Sequence, residues 1–235
     1  MNAFQRYVVA VCVLVLCVAP MFAKSSELIE CIDSPTAAVH DYGAYNINFR
    51  MFTGGSILSR MNFGVFKIVN LGFGWELQQL VGNQNVTVAP PTLSLKIRPY
   101  AGGIFLPALA LGYDGQGSYY NSNTNDFAQK ERGIYVVLTR ELLMPGFELS
   151  TGANMNDFKS DTVYGFANLN INMENVFVIM AEYDNIHYQP ENRLNGGLRF
   201  ALTDDLSVDL AGRDLVGSGP MAKERIIRVN YTGRF

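Results

Sequence analysis

Apolar and polar residues alternate along most of this chain with a period of two, the repeat of an extended strand rather than of a helix. At the C-terminal end, Ile227, Val229, Tyr231, Gly233 and Phe235 share one face, and Arg228, Asn230, Thr232 and Arg234 share the other. Such a strand fits between hydrocarbon and a hydrated interior. The same pattern predicts a first strand near 41–51, with Tyr45, Ile47, Phe49 and Met51 opposite Asn46, Asn48 and Arg50. Near 57–66, Met61, Phe63 and Val65 oppose Arg60, Asn62 and Gly64; near 71–77, Leu71, Phe73 and Trp75 oppose Gly72, Gly74 and Glu76. Near 92–99, Leu93, Leu95 and Ile97 oppose Ser94, Lys96 and Arg98. Further segments near 107–116, 133–142, 147–156, 162–173, 176–184, 193–201, 206–213 and 224–235 bring the total to about twelve. The segment 133–142, G-I-Y-V-V-L-T-R-E-L, is apolar on both faces, so its orientation stays open.

Half-buried strands of soluble sheets also alternate, so the links carry the decision. Links at 67–70, 100–104, 143–146, 174–175 and 203–205 are short, whereas 82–91, 119–131, 157–161, 185–192 and 214–223 are mostly longer and polar. Short turns on one side and long loops on the other are the habit of outer-membrane barrels. The first link, 52–55, is a short exception on the long side. Aromatic residues near strand ends (Tyr42, Tyr45, Tyr100, Tyr113, Tyr183, Tyr231, Phe235) agree with interfacial girdles. The expected fold is all-β, a transmembrane antiparallel up-and-down β-barrel of about twelve strands over residues 41–235, in the outer membrane of a Gram-negative bacterium. Ile227, Val229, Tyr231, Gly233 and Phe235 look like the C-terminal insertion signal of such barrels, which implies the barrel-assembly machinery and outer-membrane lipid as partners.

The N-terminal end adds a secretory signal. Arg6, the apolar run from Tyr7 to Ala19, Pro20 and Ala23 predict a signal peptide at 1–23, followed by a short periplasmic segment at 24–40. Cys12 and Cys17 fall in the signal, which leaves Cys31 without an internal disulfide partner in the mature chain. The 235 residues are 49% hydrophobic and 17% charged, so the chain is not disordered. Losing Arg6 takes the bases one below the 18 of the full chain against 21 acids, and this acidic balance argues against nucleic acid as a partner.

The faces assign a set of charges to the interior: Arg50, Arg60, Lys96, Arg98, Arg193, Arg199, Arg213, Arg228 and Arg234, against Glu76, Asp114, Glu148, Glu182 and Asp209. More bases than acids would favour anions in a narrow pore. The rival expectation is that these charges pair across a filled lumen. Catalysis has little to rest on. His40 at the start of the first strand and His187 in an outer loop fall on opposite sides of the membrane, and no nucleophile motif, metal-ligand spacing or cofactor-binding motif is present. The Asn- and Asp-rich stretch 121–126 lacks the spacing of a calcium loop. Ala108, Ala110 and Gly112 form a small-residue stripe facing the lumen, with room for a chain segment or a solute.

L-P-A-L-A-L-G-Y-D-G-Q-G, followed by E-R-G-I-Y-V-V-L-T-R-E-L, resembles a motif of YjbH-like exopolysaccharide-associated outer-membrane proteins, through Pro107, Gly112, Asp114, Tyr135 and Arg140. The resemblance covers two adjoining strands of a shorter chain than those proteins have, and implies polysaccharide or an export complex as partners. Two functions are therefore expected. One is a small channel or export-associated pore for polar, anionic or glycan solutes. The other is a non-conducting structural or docking barrel with a filled lumen and partner-binding outer loops.

Overall fold

The computed structural model describes residues 28–103, 105–142, 145–156, 162–174, 176–186, 192–217 and 223–235. The expected signal segment and His187 lie outside these residues. The strands are β1 (Ala44–Phe52), β2 (Ser56–Phe66), β3 (Val69–Gln78), β4 (Thr87–Val88), β5 (Thr92–Tyr100), β6 (Ala108–Asp114), β7 (Ser118–Asn121) and β8 (Asp126–Gln129). They continue with β9 (Gly133–Glu141), β10 (Phe147–Met155), β11 (Tyr164–Met173), β12 (Phe177–Asp184), β13 (Arg193–Ala201), β14 (Leu206–Arg213) and β15 (Glu224–Arg234).

Twelve of these close into one antiparallel barrel. Each barrel strand pairs with its neighbour in the chain, and β1 pairs with both β2 and β15, which seals the cylinder. In hydrocarbon an unpaired backbone amide costs several kcal/mol, so a sheet that crosses a membrane must have no open edge. The closing register aligns Ile47 with Tyr231, Phe49 with Val229 and Met51 with Ile227 on the outside, and Asn48 with Asn230 and Arg50 with Arg228 on the inside. Outward apolar side chains such as Phe73, Leu93, Leu111, Leu198, Leu210 and Ile227 are exposed on the isolated chain. An apolar outer belt on a closed sheet is the surface a membrane-spanning barrel offers to lipid. Phe235 stacks on Tyr45, ring centroids 6.0 Å apart, at the end where the chain terminates.

The structure departs from the sequence reading in three places and settles a fourth, the facing of β9, that the sequence left open. The segment 107–116 yields a shorter strand, β6, and the outer loop that follows contains a hairpin of its own, β7–β8. In β9 the inward residues are Tyr135, Val137 and Thr139, and the outward ones Ile134, Val136 and Leu138. Gly133 opens that strand at φ 68°, where a Cβ would stand 2.2 Å from the Met155 carbonyl oxygen. Arg234 is not a lumen charge: it sits at the exposed rim, paired with Asp41, with side-chain exposures of 65% and 67%. Finally, the described part of the segment expected to hang in the periplasm, residues 28–40, lies inside the barrel. Leu28, Cys31, Ile32, Ser34, Thr36, Ala37, Ala38 and Val39 are all buried. The physical reason is twofold: its apolar side chains find a lumen in which to bury, and its two acids, Glu30 and Asp33, find arginine partners on the wall.

Candidate functional site

Residues 29–36 fold into a narrow hairpin that stands in the lumen. Glu30 bridges Pro35, the Cys31 amide donates to Ser34 O at 2.9 Å, and the Thr36 amide donates to Ile29 O at 3.1 Å. A chain this short cannot satisfy its own backbone, so the barrel wall must do so. On β12, Glu182 accepts from the amides of Ile32 (3.1 Å), Asp33 (3.0 Å) and Ser34 (3.0 Å), and from Ser34 Oγ at 2.7 Å. Asn195 Nδ2 on β13 holds the same carboxylate at 2.5 Å. On β5, Lys96 Nζ donates to the carbonyls of Ile29 (2.8 Å), Thr36 (3.2 Å) and Ala38 (3.3 Å). Arg228 of β15 reaches the carbonyls of Cys31 and Ile32, and Asn168 of β11 reaches Ser34 Oγ and Pro35 O. Thr139 of β9 accepts from the Ala37 amide at 2.8 Å.

Ion pairs complete the seat. Asp33 meets Arg50 at 2.5 Å and Arg213 at 3.3 Å, and Glu30 pairs with Arg60 at 3.3 Å and with Arg228. Burial pushes the Asp33 carboxyl up, but Arg50 and Arg213 outweigh it and hold it well below the usual carboxylate range. Burial pushes the Cys31 thiol up, and neighbouring Glu182 adds to the effect. The apolar side of the hairpin packs too: Cys31 and Ile32 join Phe52, Leu58, Met180 and Ile226, while Ala37 packs with Ala110, Tyr135, Val137 and Phe166. This explains why β9 reads as apolar on both faces. One face is the exposed outer surface of the barrel and the other meets the inserted segment.

Several of the remaining expected lumen charges pair within the wall. Asp209 receives Arg199 at 2.6 Å and Arg228 at 2.7 Å, and Arg213 is clamped by Glu224 as well as Asp33. Asp184 pairs with Arg132 at 3.0 Å and lies 3.7 Å from Arg193. Asp114 meets Arg60 at 3.1 Å. Buried pairs of this kind hold only because each charge has a partner. Arg98 on β5 and Glu148 on β10 are half-buried. Glu76 serves the outer loop: it accepts from the Tyr119 amide at 3.0 Å and from Gln78 at 2.8 Å, while the Tyr119 hydroxyl bonds Glu224 and its ring meets Phe52 edge-on. That loop is folded inward over the lumen. Sequence reasoning missed Glu30, Asp33, Arg132, Asp184 and Glu224, and the four acids among them offset the expected surplus of bases.

Among the described residues, cavities flank the hairpin on two sides. The outer one, about 230 Å³, lies between the hairpin tip and the outer loop, and the inner one, about 170 Å³, opens toward the end that carries the 203–205 turn. His40 lines the inner cavity. Among the described residues, no group of three His, Cys, Asp or Glu side chains is arranged to hold a metal ion.

No protein-family model matches the chain, and no curated protein does. Solved structures do. The KdgM porin aligns at 10% identity and a TM-score of 0.52, over 82% of this chain and 99% of that one. The chain has the fold of an outer-membrane porin. The NanC porin aligns at 9% identity and a TM-score of 0.42, over 81% of this chain and 99% of that one. A mutant of Rh. blastica porin aligns at 11% identity and a TM-score of 0.40, and this chain spans about half of it, 55%. At such identities the porin likeness extends to the barrel alone. What occupies the porin-type lumen here follows from this chain's own residues.

Proposed function

We propose that this protein is a channel of a Gram-negative outer membrane that is held shut by its own N-terminal segment and admits polar solutes when that segment leaves. The observation that carries the reading is the seat of the hairpin, in which Glu182 and Lys96 read its backbone from opposite signs of charge. A segment bound through its amides and carbonyls is a removable ligand of the wall, with the wall already complete behind it as a closed sheet. Its departure would carry Glu30 and Asp33 away and uncover Arg50, Arg60, Arg213 and Arg228. The open lumen is then basic and favours anions, whereas the closed lumen is close to balanced. The porin neighbours support a channel-type barrel. The resemblance to exopolysaccharide-associated proteins makes charged glycans the solutes to test beside simple salts.

The rival reading, a permanently filled barrel whose outer loops meet partners, is favoured by the density of buried ion pairs around Asp33. Liposome swelling separates the two. Swelling in anionic oligosaccharide that rises when Glu182 is replaced supports the channel. An inserted variant whose segment is released yet admits no solute supports the filled barrel.

A further inference from the structure

The hairpin does not seal the lumen evenly. Its backbone is bonded to β5, β9, β11, β12 and β15, whereas toward β1 and β2 it is tied by the ion pairs Asp33–Arg50 and Glu30–Arg60. On that side the wall is polar and small: Asn48, Asn62, Asn70 and Ser94 line the inner cavity. Space is limited there, since a Cβ on Gly72 would fall 2.3 Å from both Asn62 Oδ1 and Ser94 Oγ. The inner and outer cavities adjoin along the same side. Glu30, Asp33, Asn48, Arg60, Asp114 and Arg132 line both.

We infer that Arg60 governs a narrow side passage past the docked hairpin and sets the sign of the ions that use it; this rests on the reading of the N-terminal segment as a plug. Arg60 stands between Glu30 on the hairpin (3.3 Å) and Asp114 on the wall (3.1 Å). Water reaches this triad: its side chains are 19%, 26% and 21% exposed, against 3% and 2% for the sealed Arg228–Asp209 pair. A hydrated constriction ringed by fixed charge selects by the sign of that charge. With Arg60 in place its guanidinium answers both carboxylates. Without that charge, Glu30 and Asp114 remain and the passage takes cations. Without the Asp114 charge, the guanidinium is less compensated and the passage turns toward anions. Amide and hydroxyl walls offer partners to the water that small ions carry with them.

The test is single-channel recording of the full mature chain in a planar bilayer under a potassium chloride gradient, for the wild type, Arg60→Gln, Asp114→Asn and Glu182→Ala. Reactivity of Cys31 toward a maleimide is measured in parallel to show whether the hairpin stays docked. The expected result is a small conductance that turns cation-selective in Arg60→Gln and moves the opposite way in Asp114→Asn, with Cys31 protected in both. Unchanged reversal potentials in both variants overturn the inference, as does an Arg60→Gln variant that changes only by exposing Cys31, because Arg60 would then merely fasten the hairpin. No current in the wild type, Arg60→Gln and Asp114→Asn, with a large current in Glu182→Ala, overturns the side passage and leaves the plug intact. A Glu182→Ala variant that exposes Cys31 and passes nothing defeats the plug reading itself.

Discussion

Replacing Glu182 with alanine removes the acceptor of three consecutive hairpin amides, of the Ser34 hydroxyl and of Asn195 Nδ2. A buried donor left without a partner costs about 1–3 kcal/mol, and bonds to a charged acceptor lie at the upper end of that range. The vacated space borders water, which re-forms part of the set. A net loss of about 3 kcal/mol for docking is the resulting expectation, equivalent to a roughly 100-fold rise in the undocked fraction. Cys31 reports that fraction, since its thiol is fully buried when the hairpin is docked and held above its ordinary pKa by burial and by Glu182. When opening and closing are fast relative to the reaction, the labelling rate follows the open population. Folded Glu182→Ala protein should therefore react with a maleimide roughly 100-fold faster than wild type at equal pH, and Glu182→Gln, which keeps one carbonyl acceptor, should fall between. A variant that keeps its circular dichroism and labels at the wild-type rate would refute the reasoning.

Lys96→Met fills the same volume without a donor and abandons the carbonyls of Ile29, Thr36 and Ala38; it should speed Cys31 labelling in the same direction, by roughly 10-fold. Acid should not open the channel across the ordinary range. The Asp33 carboxyl is held low in the docked state, so its contribution is complete above the unfolded value of about 3.8 and is lost only as pH falls below that value; conductance should stay low from pH 7 to about 4 and rise beneath it. A rise near pH 6 would assign the latch to another group. Leu210, outward on β14 between Leu198 and Ile227, should cost about 2–4 kcal/mol when changed to Arg if it meets the bilayer midplane. Urea unfolding from lipid vesicles measures this, and no loss would place the belt elsewhere.

The barrel was legible because side-chain direction in a strand depends only on odd or even position. Once Phe49 and Ile227 are outside, Arg50 and Arg228 must be inside, whatever the exact strand ends. The hairpin was not legible in this way. Residues 28–40 carry no period of two or of helix type, and position along the chain suggested a tail rather than an occupant. A signal was nevertheless present. L-I-E-C-I-D-S-P-T-A-A-V is too apolar for a solvated linker, and the two-faced apolarity of β9 called for something apolar in the lumen. The small stripe of Ala108, Ala110 and Gly112 pointed the same way: Ala110 now packs with Ala37, and Tyr135 crosses Gly112 where a Cβ would lie 2.3 Å from the ring. Reading the faces alone also left out acids brought in by loops and by the hairpin. Of the five residues quoted for the exopolysaccharide resemblance, Gly112 and Tyr135 are packing partners and Asp114 holds Arg60, whereas Arg140 faces out and donates to Phe105 O at 3.2 Å.

The most direct test of the plugged channel is single-channel current through the chain starting at residue 24 compared with the chain starting at residue 41, both refolded and inserted in planar bilayers. The account predicts at most a small current for the intact chain and a large, steady, anion-selective conductance for the shortened one. A shortened barrel that folds, inserts and stays silent, or an intact chain that already conducts as strongly, would contradict it.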